Sequence, residues 1–228
     1  MRFCVVITTC NRPELFALTL SDTRRELSGH ESRIVVVDDC SDEPYGESAD
    51  GIIYHRMTVR QGKDGYWRVV NAGLRAAARH SFDRLLFFPD DVRLKPGAIA
   101  EAVKLWDAIE SEKKIALQIL QDDRAGKKSW TNWQPVQVVF GGERFWHSQW
   151  IETCFIATPE FLDVILPLPH IHRPPYLGSS GVQRHISMKL HRLGYEMYQV
   201  VDTLVSHGDH ESLMNPQERK RTPLVSSF

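Results

Sequence analysis

The chain has little cysteine, no excess charge of either sign and no long apolar run, and each shortage excludes something. Its four cysteines, Cys4, Cys10, Cys40 and Cys154, include no C-x-x-C pair. They therefore indicate neither a zinc site nor a disulfide framework, and read as buried thiols. Lysine plus arginine number 28 against 29 for aspartate plus glutamate, so no global field draws the chain to nucleic acid or to an anionic membrane. No stretch approaches the roughly 20 apolar residues that span a bilayer. The start, MRFCVVITTCNRPE, holds too short an apolar run for a signal peptide. The expectation is a soluble cytoplasmic protein without a membrane span. Repeats, biased segments and domain linkers are lacking as well. What is left is a globular composition, 42% hydrophobic over 228 residues, long enough to bury a substantial core.

Strand and helix patterns alternate through the first half. RFCVVITT (2–9) is a β-branched run ended by N-R-P, with Pro13 suited to the first turn of a helix to about Leu27 that carries Leu15, Leu18 and Leu20. RIVVVDDCSD (33–42) and GIIYHRM (51–57) read as strands, and Gly65 to His80 as an amphipathic helix. RLLFF follows as a strand, then a DDV turn and a helix from Pro96 to about Ile109. This order predicts an α/β fold, a Rossmann-like, mostly parallel central sheet with helices on both faces in a single domain. In such sheets ligands bind beyond the carboxyl ends of the strands. Two acidic pairs, Asp38/Asp39 and Asp90/Asp91, stand there. Two charges about 4 Å apart repel by roughly 1 kcal/mol in water and more when buried, so a cation is expected near them.

The second half is less regular. KIALQILQ (114–121) is a further strand, and the polar segment after it reads as a loop. VQVVF and WIETCFIAT read as strands flanking GGERFWHSQ. A proline-rich stretch leads to a helix from Val182 to Leu193 closed by Gly194. YEMYQVV is a last strand before a polar tail (211–228).

Taken in order, VVITTCNRPELFALTL, RIVVVDDCSD, VNAGLRAAA and LLFFPDDVRLKPGAI resemble the family 2-like glycosyltransferases of the GT-A fold. The resemblance covers about residues 1–210, a donor-binding half (1–121) and an acceptor-binding half (122–210). It implies transfer of a sugar from a nucleoside-diphosphate sugar, UDP being the usual carrier, to an acceptor hydroxyl. It also implies a divalent cation, Mn²⁺ or Mg²⁺, at the diphosphate. Asp91 resembles the metal-binding carboxylate and Asp90 the one that touches the donor ribose or sugar; otherwise both are solvated turn carboxylates. Thr8, Asn11 and Arg12 look like the edge of the nucleotide site, and Asp39 like the acceptor of a hydrogen bond from the base. Asp38 and Asp39 are alternatively loop caps at Ser41 and Asp42. Lys63, Arg68 and Asn71 match the segment of further donor contacts, though the two cations equally suit a surface. His207, with His210 in reserve, sits where the family places a distal metal ligand; otherwise it is an exposed loop histidine.

One position departs from the family. Inverting members carry an E-D pair before the helix that here begins with Val182, and Gln183 stands in its place. The base then comes from His185, Glu152 or Asp209, or the reaction is retaining, or the chain binds donor without transfer. Trp130, Trp133, Trp146 and His147 mix aromatic and basic character on the acceptor side, which suits a saccharide first and a hydroxymethylated nucleic-acid base second. Trp150, at a strand start, reads as core. A receiver module is set aside because its acidic pair ends the first strand, and a sugar-nucleotide pyrophosphorylase because TTCNRPE lacks the glycine-rich loop. The oligomeric state is left open.

Overall fold

The computed structural model describes residues 1–45, 51–121, 136–172 and 180–207. The apolar runs near the start form four mutually parallel strands: β1 (Arg2–Thr9), β2 (Glu31–Asp38), β3 (Ile52–Arg56) and β4 (Arg84–Pro89). Helices α1 (Pro13–Glu26) and α2 (Gly62–Ala77) make the crossovers. Then come β5 (Val92–Leu94), α3 (Ala98–Ala108), β6 (Lys114–Gln118), β7 (Val136–Phe140) and β8 (Glu143–Ser148). The described chain closes with β9 (Phe155–Ala157), α4 (Glu160–Ile165), α5 (Val182–Arg192), β10 (Glu196–Val200) and β11 (Val205–His207).

One nine-stranded sheet has the order β3-β2-β1-β4-β9-β6-β10-β8-β7, and β11 pairs with β5 in a second, two-stranded sheet. β6 and β10 are parallel, whereas β9 runs antiparallel between β4 and β6. The β7–β8 hairpin adds to β10 in antiparallel sense. Alternation along β1 divides the core. Cys4 and Val6 face the side covered by α2, α4 and α5, while Phe3, Val5 and Ile7 face α1 and α3. Strands buried on both faces need continuous apolar runs, which is why β1, β2 and β4 read as such. Each fully buried large apolar side chain contributes roughly 1.5–3 kcal/mol. Gly73 lets α2 lie close on β1, for a Cβ there would stand 2.6 Å from Val6 Cγ1.

The α/β expectation holds, with differences in detail. GGERFWHSQ is not a connector: Gly141 and Gly142, both with positive φ (55° and 84°), form the two-residue turn of a hairpin, and ERFWHS is β8. WIETCFIAT is strand only at Phe155–Ala157, because Cys154 at φ 132° breaks the extension before it. The expected DDV turn runs straight into β5, whose partner β11 is supplied from more than a hundred residues downstream. α1 forms as expected from Pro13: it buries Phe16, Thr19, Asp22 and Thr23, Leu20 packs against the core and Leu18 is exposed. Among the described residues, no helix is long and apolar enough to cross a membrane.

Candidate active site

β1 lies between β2 and β4, so all three strands end at one edge, with Thr9 level with Asp38 and Thr8 level with Pro89. Beyond β4 the buried Asp90 and Asp91 turn back toward β1. Asp90 Oδ2 accepts from Thr9 Oγ1 at 2.8 Å and from the Cys10 N–H at 3.3 Å. Arg12, which precedes α1, places Nη1 3.3 Å from Asp90 Oδ1 and 2.7 Å from Asp91 Oδ2. The cation expected beside this pair is thus already present in the chain. His207 Nε2 stands 3.1 Å from Asp91 Oδ1. It lies off the hydrogen-bond direction, and among the described residues that buried oxygen has no hydrogen-bond donor.

The two neighbours are electrostatically unequal. Burial and the adjacent Asp91 charge push Asp90 up to about 6, against the pull of Arg12 and Thr9. Burial works against ionised Asp91 too, but His207 and Arg12 outweigh it and hold it down at about 2. One carboxylate is firmly anionic and the other shares its environment.

α1 secures the segment. Thr19 Oγ1 lies 2.8 Å from the carbonyl oxygens of both Asp90 and Val92, its single proton shared between them. Asp22 accepts from Arg93 Nε at 2.6 Å and from the Leu94 N–H at 3.2 Å, and Arg25 Nη1 lies 2.6 Å away. These bonds fix β5, and β5 fixes β11, whose register sets His207 opposite Val92.

The other acidic pair is differently occupied. Asp38 Oδ1 accepts from the Ser41 N–H at 2.9 Å and from its hydroxyl, and Oδ2 accepts from Tyr54 Oη at 2.7 Å beside Arg56 Nε at 3.5 Å. Asp39 accepts the N–H groups of Gln61 at 2.7 Å and Gly62 at 2.9 Å, so it caps α2 from across the sheet edge. Burial raises the Asp39 pKa, and those two N–H bonds oppose the shift.

The remaining residues singled out in the sequence are dispersed. Thr8 is buried, its Oγ1 3.0 Å from Tyr66 Oη. Asn11, at φ 51°, exchanges side-chain bonds with Asp42 (2.8 and 2.7 Å) and ties the β1 and β2 loops together. Lys63 lies in the first turn of α2. Arg68 lies over the Trp67 ring at 4.8 Å and bonds Gln61. Asn71 Oδ1 accepts the Leu168 N–H at 3.1 Å, a structural tie. His185 is on α5, its pKa lowered by burial and by the nearby Lys189 and Arg192. Trp146 and His147 do not share a face: His147 sits opposite Tyr198 and stacks on it at 5.2 Å, while Trp146 lies opposite Gln199. Trp150 is buried. Trp130, Trp133, Asp209 and His210 lie outside the described residues.

Sequence reasoning missed Thr9, Thr19 and Asp22. The signal for the last two is the polar interruption of the α1 pattern, in which Thr19, Asp22 and Thr23 recur at helical spacing on the face of Phe16.

The profile of the family described as "Glycosyl transferase family 2" matches residues 4–155. A sequence search among curated proteins found no match. Among solved structures, Staphylococcus aureus TarS 1–349 superposes with a TM-score of 0.57 at 16% identity, over 92% of this chain and 61% of that one. Glucosyl-3-phosphoglycerate synthase from Mycobacterium tuberculosis, in complex with Mn²⁺ and uridine-diphosphate-glucose, gives 0.58 at 16% identity over 90% and 70%. The mannosyltransferase PcManGT from Pyrobaculum calidifontis, in complex with GDP-Man and Mn²⁺, gives 0.54 at 16% identity over 88% and 54%. At such identities the likeness is one of fold.

Proposed function

The chain belongs to glycosyl transferase family 2, and from that premise we propose that it moves a sugar from a nucleoside-diphosphate sugar, a UDP-sugar first, to a saccharide hydroxyl with the help of Mn²⁺ or Mg²⁺. In this reading residues 1–121 bind the donor and the rest of the domain, to about 210, serves the acceptor. A cytoplasmic location is part of the same proposal.

The observation that carries it is Asp91 Oδ1, a buried carboxylate oxygen with no hydrogen-bond donor among the described residues, facing His207 at the carboxyl edge of a parallel sheet. An oxygen so placed is costly unless something fills the space before it. Among the described residues no three His, Cys, Asp or Glu side chains converge as a metal group. Two protein ligands, Asp91 and His207, fit a hard cation whose other positions go to phosphate oxygens and water. A divalent cation held there would offset the negative charge that builds on the diphosphate leaving group.

The chain's own groups do the rest. Asp91 stays ionised through the working pH range, Arg12 keeps the two carboxylates together, and Thr19 holds their backbone. Asp90 faces the sugar side of the donor, and Asp39 stands at the edge where the base would lie. The complexes named above, of relatives in fold with UDP-Glc or GDP-Man and Mn²⁺, support the donor class.

Thermal shift of the full chain with UDP, UDP-glucose and GDP-mannose, each with and without Mn²⁺, tests the reading. A ligand at a hundredfold excess over Kd stabilises by about 2.7 kcal/mol. A Mn²⁺-dependent rise with at least one nucleotide is expected. No rise with any of them would sink the donor assignment.

A further inference from the structure

Gln183 stands where inverting members of the family carry an acidic pair, and Glu152 lines the same cavity as Gln183. A small, mainly apolar cavity between α2 and α5 is walled by Val70, Phe87, Glu152, Thr153, Val182 and Gln183. Glu152 and Gln183 therefore line one place although about thirty residues separate them in the chain. Glu152 precedes β9, which pairs antiparallel with β4 so that Phe155 sits opposite Phe87. Three residues forward from Phe87 is Asp90, and three residues back from Phe155 is Glu152. Both segments thus leave the same end of two adjacent strands, which lie about 4.8 Å apart. The buried Cys154 thiol lies within electrostatic reach of Glu152 and of Asp91, the neighbour of Asp90. Burial chiefly holds its pKa up, and the charges of Asp91 and Glu152 add to the shift.

The support around Glu152 is unusual for an irregular segment. Three consecutive backbone N–H groups each donate to a buried side chain from a different element. Trp150 donates to Ser148 Oγ at 3.0 Å, Ile151 to Ser187 Oγ at 3.0 Å, and Glu152 to Gln118 Oε1 at 2.7 Å. Ser148, Ser187 and Gln118 are all buried. Gln118 is itself anchored, its Nε2 donating to the Leu120 carbonyl at 2.7 Å. Buried N–H groups outside a strand ladder need such acceptors, and here the three bonds also fix the backbone from which Glu152 projects.

We propose that Glu152 is the general base of the transfer, standing in for the carboxylate that Gln183 cannot supply. The inference rests on the glycosyltransferase reading above. Glu152 takes the proton of the acceptor hydroxyl as that oxygen's electron pair forms the bond to the anomeric carbon. The bond from that carbon to the diphosphate oxygen breaks, and its electron pair leaves with the nucleoside diphosphate. Direct displacement of this kind inverts the anomeric configuration. Ser148, Ser187 and Gln118 act as positioning residues.

The full chain and its Glu152→Gln and Glu152→Ala variants test this, with UDP-glucose, UDP-GlcNAc and GDP-mannose plus Mn²⁺ as probes. Calorimetry reads binding, and release of nucleoside diphosphate reads turnover with water as acceptor. Glu152→Gln is expected to bind donor within about twofold of wild type and to release product about 100-fold more slowly or worse, the usual loss with a general base. Azide, an anion that needs no deprotonation, is expected to restore turnover in Glu152→Ala and to yield a glycosyl azide of inverted configuration.

Wild-type turnover in Glu152→Gln overturns the assignment. So does a loss of donor affinity that accounts for the lost rate, which would make Glu152 a binding residue. Donor binding by wild type without any turnover also overturns it, while leaving the donor reading in place. Absence of binding to every probe fails at the earlier step and brings down the donor reading itself.

Discussion

Asp38–Asp39 and Asp90–Asp91 are the same word written twice: an apolar strand running into two carboxylates, on the two strands that flank β1. The structure gives them opposite treatment. Every oxygen of the first pair accepts a bond from a backbone N–H, a hydroxyl or both. Those bonds close the β2 loop and begin α2. The second pair is held by Arg12 and His207, and among the described residues one of its buried oxygens has no hydrogen-bond donor. A doubled acid at a strand end therefore says only that charge is buried there; its neighbours decide whether the charge serves the fold or a ligand.

The largest expected effect falls on the second pair. Asp91→Ala should lower Mn²⁺-dependent donor affinity at least about 100-fold by calorimetry, the scale of losing a charge partner from a buried ionic site, together with some loss of ligand-free stability from breaking its pairs with Arg12 and His207. Undiminished affinity would erase the distinction between the pairs. Asp38→Ala should do the reverse. It leaves Tyr54 Oη and the Ser41 N–H without their acceptor and should cost about 2–4 kcal/mol in urea unfolding, with donor affinity of the folded protein nearly intact.

Asp39→Asn is a finer probe. It keeps one of two acceptors for the start of α2 and should cost about 1 kcal/mol of stability. A fall in nucleotide affinity beyond threefold, measured on folded protein, would add the base contact expected from the sequence to its capping role. The smallest effect concerns Asp22. Burial opposes its ionisation, but bonds from Arg93 and Arg25 win and lower its pKa. A depressed carboxylate contributes stability above its unfolded value, near 3.9, that disappears as pH falls through the folded value. Asp22→Asn should accordingly flatten the acid limb of the stability curve below about pH 4, and an unchanged limb would remove Asp22 from that balance.

Much of the parallel half was legible in the sequence because burial on both faces leaves continuous β-branched runs. The carboxyl-edge position of both acidic pairs followed from strand order alone. What was not legible depends on contacts across long stretches of chain. α2 begins three residues before the expected Gly65 because Asp39, more than twenty residues upstream, caps its first N–H groups. β11 is three residues long and has no pattern of its own; only its pairing with β5 makes it a strand. The polar part of the buried face of α1 was not legible, because Thr19 and Asp22 are buried through bonds to β5 and the turn before it, which apolar spacing does not show.

His207 reaches Asp91 through that short β5–β11 ribbon rather than through the nine-stranded sheet. A three-residue pair outside the main ladder can open without unfolding the rest. Any cation bound between Asp91 and His207 would lock the ribbon shut, so its apparent affinity includes the free energy of closing it. Amide exchange at Val205 and His207 would then slow on loading while the β1–β4 amides stayed as they were. The site would announce its occupancy as a local change in breathing, more than a hundred residues along the chain from the aspartates.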